Sequence, residues 1–136
     1  MFGMMRSPTQ TYATVSVDAA VESASPHQLI LMLFDGAIAA VSLARIHMNA
    51  GEIEQKGLAI SKAISLISSG LRASLDVESG GELAERLAAL YDYIAERLLF
   101  ANLKNSLAAM EEASELLTGL RDAWAQISPG NQQQAA

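Results

Sequence analysis

The chain has 136 residues, with 15 Asp and Glu against nine Lys and Arg and a net charge of −6. That length suits one domain with a substantial core. The acidic balance, with its few basic residues scattered, argues against a nucleic-acid partner. Cysteine is absent, which excludes a disulfide framework, a thiol nucleophile and a zinc–thiolate site and fits a cytoplasmic setting.

Residues 1–24 carry no helical period and read as an N-terminal arm. MFGMMRSPTQTYATVSVD has one Arg and no long apolar core, so it does not read as a signal peptide. The stretch TYATVSV alternates weakly and is rich in β-branched residues, as an extended segment would be. Tyr12, Val15 and Val17 place apolar side chains ahead of the helical region. They are candidates for a movable arm that docks into a groove of its own fold.

The first helix is expected over about 26–48. Ser25-Pro26-His27-Gln28 is a capping box, with Ser25 as N-cap, Pro26 at the first helical position and Gln28 three residues after the cap. Asn49-Ala50-Gly51 supplies the stop. This helix is apolar on most of its circumference, which normally means cover on several sides. Its most apolar run, Leu29 to Ala44, contains Asp35 and Gly36 and falls short of the ~20 residues a membrane span needs.

A second helix is expected over about 52–76, with Ile53, Gly57, Ile60, Ile64, Ile67 and Leu71 spaced as a helix seam requires. A third follows Ser79-Gly80-Gly81-Glu82, read as a second capping box, and covers about 81–103. A fourth covers about 106–127, with Met110, Ala113, Leu117, Leu120, Trp124 and Ile127 as its seam. Residues 129–136, PGNQQQAA, form a polar tail expected to be disordered. Four helices of similar length and short connections imply an all-α chain, an antiparallel up-down-up-down four-helix bundle over 25–128.

Nothing in the pattern reads as an active site. His27 and His47 stand far apart and no Glu-x-x-His pair exists, so the di-iron bundle pattern fails. Gly80-Gly81 follows no strand, so it is no phosphate loop. Asp35, Asp76 and Asp92 interrupt apolar runs and are expected to cap, pair or fix register. No metal, cofactor or catalytic residue is expected. Two other classes compete with a binding role: a purely structural module, such as a homodimer without a client, and a phosphorelay domain using His47. His47 lacks the His-x-x-Lys-Gly context of such domains.

A set of ordered motifs then narrows the reading. YATVSVD (12–18), SASPHQLILMLFDGA (23–37), KGLAISKAISLI (56–67), GLRASLDVESGGELA (70–84), LYDYI (90–94), RLLFANLKN (97–105) and AW (123–124) resemble the flagellin-specific export chaperones of bacterial flagella, the FliS family. The likeness spans about residues 10–129. Two small departures occur: Asn105-Ser106 where many members have Asn-Asp, and Ile94 where many have Met.

The resemblance implies a cytoplasmic, all-helical chaperone with no enzymatic activity. Its implied partner is the disordered C-terminal segment of newly made flagellin, which it would keep from premature polymerisation and help deliver to the flagellar type III export gate. It also implies homodimer formation, and no nucleic acid or membrane insertion. The expected flagellin groove takes its side chains from the outer stripes of the second and third helices: Ile60, Ile64, Ile67, Leu71, Leu87, Leu90, Tyr91 and Ile94. The arm bearing Tyr12, Val15 and Val17 would cover that groove when empty, or contact the export apparatus when loaded.

Overall fold

The computed structural model describes residues 19, 21 and 23–127. Among them the chain forms α1 (Pro26–Asn49), α2 (Ile53–Ser65), a π-helical continuation of α2 (Leu66–Arg72), α3 (Val77–Lys104) and α4 (Leu107–Gln126). There is no strand among the described residues, and the helices form a bundle. Tyr12, Val15 and Val17 and the tail from 129 lie outside the described residues.

Each start signal has a physical agent. Ser25 Oγ accepts from the Gln28 amide while the Gln28 side chain accepts from the Ser25 amide, closing the capping box ahead of Pro26. Ser106 caps α4 by accepting from Ala109 N–H. The start of α3 differs from the expected capping box at Ser79. Asp76 is the N-cap, accepting from Ser79 N–H, and the first turn begins at Val77. Gly81, at φ 55°, is a non-helical joint inside α3. The second helix also stops earlier than its apolar spacing suggested, at Arg72 rather than Asp76. Its last seven residues are π-helical, a wider winding that is rare and often marks functional sites.

Helix α1 lies against α2, the π segment and α4, and α3 lies against the same three elements. His27 at the start of α1 meets Trp124 at the end of α4. Lys56 near the start of α2 meets Asn102 and Asn105 at the end of α3. The core is built from Phe34, Val41, Ile60, Ile67, Leu71, Tyr91, Ile94, Leu98, Met110 and Leu117, with alanines between them. Each large aliphatic side chain so buried contributes about 2 kcal/mol. Fully buried alanines on every α-helix, such as Ala44, Ala63, Ala101 and Ala113, let the helices approach closely. Among the described residues six alanines are fully buried, Ala37 and Ala109 being the other two.

By length and composition alone α1 is apolar enough to cross a membrane, with a mean hydropathy of 2.0 over its best 18 residues. The helix extends beyond the apolar run seen in the sequence. One face of it, Phe34, Ala37, Val41, Ala44 and Met48, is buried within the bundle. The three aspartates in apolar surroundings are all engaged. Asp35 pairs with Arg121 at 2.9 Å, Asp92 with Arg72 at 2.7 Å, and Asp76 caps α3.

Candidate apolar docking site

The chain cannot bury every apolar face it presents. On the first half of α1, Leu29, Ile30, Met32 and Leu33 are half-buried, because the core takes the face that begins at Phe34. With Val21, Pro26 and Ser74 they line an open groove of about 540 Å³. Leu33 lies against Gly70 of the π segment. A methyl group on Gly70 would stand 2.9 Å from Leu33 Cδ2, so only glycine lets the leucine lie where it does.

A second groove of about 270 Å³ lies where the π segment hands over to α3. Leu75, Leu83, Ala84 and Leu87 form one side, and Trp124 and Ile127 of the α4 end form the other. The non-helical joint at Gly81 stands next to Gly80, which lines this groove, at a positive φ that L side chains rarely adopt. Ser74 borders both grooves.

Trp124 is fixed by two bonds and a stack. Its indole Nε1–H donates to the His27 carbonyl at 3.0 Å, and His27 Nε2 stands 2.9 Å from the Trp124 carbonyl. That contact requires the imidazole proton on Nε2, because a carbonyl only accepts. The rings lie 5.2 Å apart, nearly parallel.

Of the eight side chains expected to line the groove, Ile60, Ile67, Leu71, Tyr91 and Ile94 are core residues, at most 5% exposed. A ligand lying on the surface of this arrangement does not reach them. The periodicity that grouped them marked the seam between helices, because a seam and a groove share the same spacing. Ile64, Leu87 and Leu90 are half-buried and pack against the core with surface to spare, and Leu87 lines the second groove. Leu29, Met32, Leu75 and Trp124, which line the two grooves, were not among the eight. Their signal was the second apolar stripe of α1 and the apolar residues around the break at Asp76.

The two grooves are lined mainly by apolar side chains. Among the described residues no three His, Asp or Glu side chains gather as a metal site. Ion pairs hold many of the charged groups: Arg72–Asp92, Arg97–Glu112 and Arg121–Asp35. His47 Nδ1 stands 2.8 Å from Glu52. Asp76 is held below the usual carboxylate range by the Ser79 backbone N–H. Tyr91, beside Phe34 in the core, is pushed up to about 12 by burial. The two grooves leave apolar surface uncovered at this end of the bundle, suited to an apolar helix or strand.

The family model described as flagellar protein FliS matches residues 8–131. The chain belongs to the FliS family. It is 55% identical over 120 residues to the flagellar secretion chaperone FliS of Salmonella typhimurium, covering 88% of this chain and 89% of that one. To the protein of the same name from Escherichia coli it is 48% identical over 116 residues, 85% of each chain. The Bacillus subtilis flagellar secretion chaperone FliS is 32% identical over 106 residues, 78% of this chain and 77% of that one. The motifs that suggested FliS in the sequence fall on all four α-helices, and Asn105 and Ser106, the departure from the usual Asn-Asp, end α3 and cap α4.

Proposed function

We propose that this chain is an export chaperone of the flagellar secretion system. It holds the C-terminal segment of flagellin in the two apolar grooves, keeps it from polymerising, and hands it to the export gate in the cytoplasm. The observation that carries the reading is the open groove on the first half of α1, in a chain whose relatives are named flagellar secretion chaperones. Leu29, Met32 and Leu33 supply the first groove, and Leu75, Leu87 and Trp124 the second. Ile64 and Leu90 extend the contact, while Ile60, Ile67, Leu71, Tyr91 and Ile94 stiffen the floor beneath. Tyr12, Val15 and Val17 cover a groove until the client displaces them. A homodimer is a further assembly consistent with the uncovered apolar surface. The fold needs no cofactor for this work and no membrane insertion.

Burial of client side chains at about 25 cal/mol per Å² works against the several kcal/mol needed to order a disordered segment. That balance supports firm holding with release that needs no nucleotide. Calorimetric titration of the chain with roughly the last 50 residues of flagellin from the same bacterium tests it. Submicromolar binding with a large negative heat-capacity change is expected. Absence of binding at tens of micromolar overturns the reading and leaves a structural module.

A further inference from the structure

At the opposite end of the bundle lies a third pocket, of about 460 Å³, lined by His47, Met48, Glu52, Ile53, Lys56, Leu103 and Asn105 among others. It is roughly 28 Å further along α1 than the first groove, at 1.5 Å per residue. Its polar element is unusual. Lys56 is 4% exposed, yet no carboxylate among the described residues reaches salt-bridge distance of its ammonium. Lys56 Nζ donates to the Asn102 carbonyl at 3.2 Å and to Asn105 Oδ1 at 2.9 Å, which uses two of its three N–H groups.

The neighbour best spaced to neutralise it is otherwise engaged. Glu52 stands four residues before Lys56, the spacing at which an acid and an amine pair along a helix. Its carboxylate lies instead 2.8 Å from His47 Nδ1 at the rim. A buried cation bonded only to neutral oxygens favours an anion. The pocket walls decide which kind: Met48, Ile53 and Leu103 are apolar, and Ile53 and Leu103 are 74% and 73% exposed. An inorganic ion would leave those walls wet.

We propose that this pocket binds a carboxylate carried next to an apolar group, the acidic end or an acidic side chain of a peptide. The carboxylate takes the remaining N–H of Lys56, and the apolar group lies on Ile53 and Leu103. The site is separate from the two grooves and does not depend on their occupant.

Three probes titrated into the full chain test this by ¹H–¹⁵N NMR, with the amides of Gly51, Ile53, Leu103 and Asn105 as reporters. They are N-acetyl-leucine, N-acetyl-leucinamide and N-acetyl-glutamate α-amide. The expected result is saturable shifts confined to these reporters with at least one acid and none with leucinamide. N-acetyl-leucine acting alone assigns a chain terminus as the source, and the glutamate amide acting alone assigns a side chain. Lys56→Met should abolish the shifts. Equal shifts with acid and amide, or none with either acid, overturn the proposal, and that comparison on the unaltered chain holds even where Lys56→Met fails to fold.

Discussion

His27 and Trp124 tie the first turn of α1 to the last turn of α4 through two reciprocal hydrogen bonds, each side chain bonding the other's backbone carbonyl, with their rings stacked between. The pair fixes one wall of the second groove, since Trp124 lines it. Trp124→Phe keeps a ring but removes the indole donor. The expected loss is about 1 kcal/mol. For a chain of this size that is a fall of about 3 °C in melting temperature, and thermal unfolding followed by circular dichroism checks it.

The division between core and groove predicts opposite behaviour for neighbouring residues. Ile94 is fully buried, so Ile94→Ala is expected to cost about 2–5 kcal/mol in denaturant unfolding. Leu29→Ala and Met32→Ala, on the half-buried stripe, are expected to change stability much less. They should instead weaken binding of the flagellin segment about tenfold each, or about 1.4 kcal/mol. Equal affinity in these variants and the unaltered chain would place the client elsewhere.

Asn105 does two things at once. It adopts φ 51° to end α3, and its side chain accepts from Lys56. Asn105→Gly tolerates the backbone but loses the bond. Asn105→Ala loses both, adding about 1 kcal/mol of left-handed strain. The expected order of melting temperature is therefore Asn, then Gly, then Ala. An alanine variant as stable as the glycine one would contradict the left-handed turn.

Glu112 accepts from the Tyr93 hydroxyl and from Arg97 Nε. The Tyr93 bond is the main cause holding Glu112 below its ordinary range, and the same bond pushes the Tyr93 phenol up. The Glu112 contribution is thus present above the usual glutamate range and lost as pH falls through its lowered value. The Tyr93 contribution is present below the ordinary tyrosine value and lost as pH rises through its raised one. Melting temperatures of the chain and of Tyr93→Phe should differ most near neutrality and converge at both extremes. A difference that ignores pH would show that the bond is not made in solution.

The start of α1 was legible because Ser25, Pro26 and Gln28 act over three residues, within reach of local pattern. So were the seams of α2 and α4, where one face is apolar, except at Ile53, which opens the expected α2 seam yet is 74% exposed. The break near 72–77 was not. Ile60, Ile64, Ile67 and Leu71 are spaced as an α-helix would space them, and nothing local announces the wider winding from Leu66 onward. Asp76 read as the end of the second helix and as a group that caps, pairs or fixes register, and which of these it does depends on where the next helix begins. Five of the residues expected in a groove lie in the core for a related reason. Spacing says which side chains share a face, but whether Ile60 or Leu29 meets water depends on which neighbour covers that face.

Ser74 lines both grooves, so they meet at it. A single polypeptide occupying both must cross it, and so engages the bundle as a bivalent ligand with two short grips and one bend. Each grip raises the local concentration of the other, so holding is tighter than either groove alone provides. Either half can also let go first without the whole ligand escaping. A pull from one end then peels the chain off in two small steps in place of one large one.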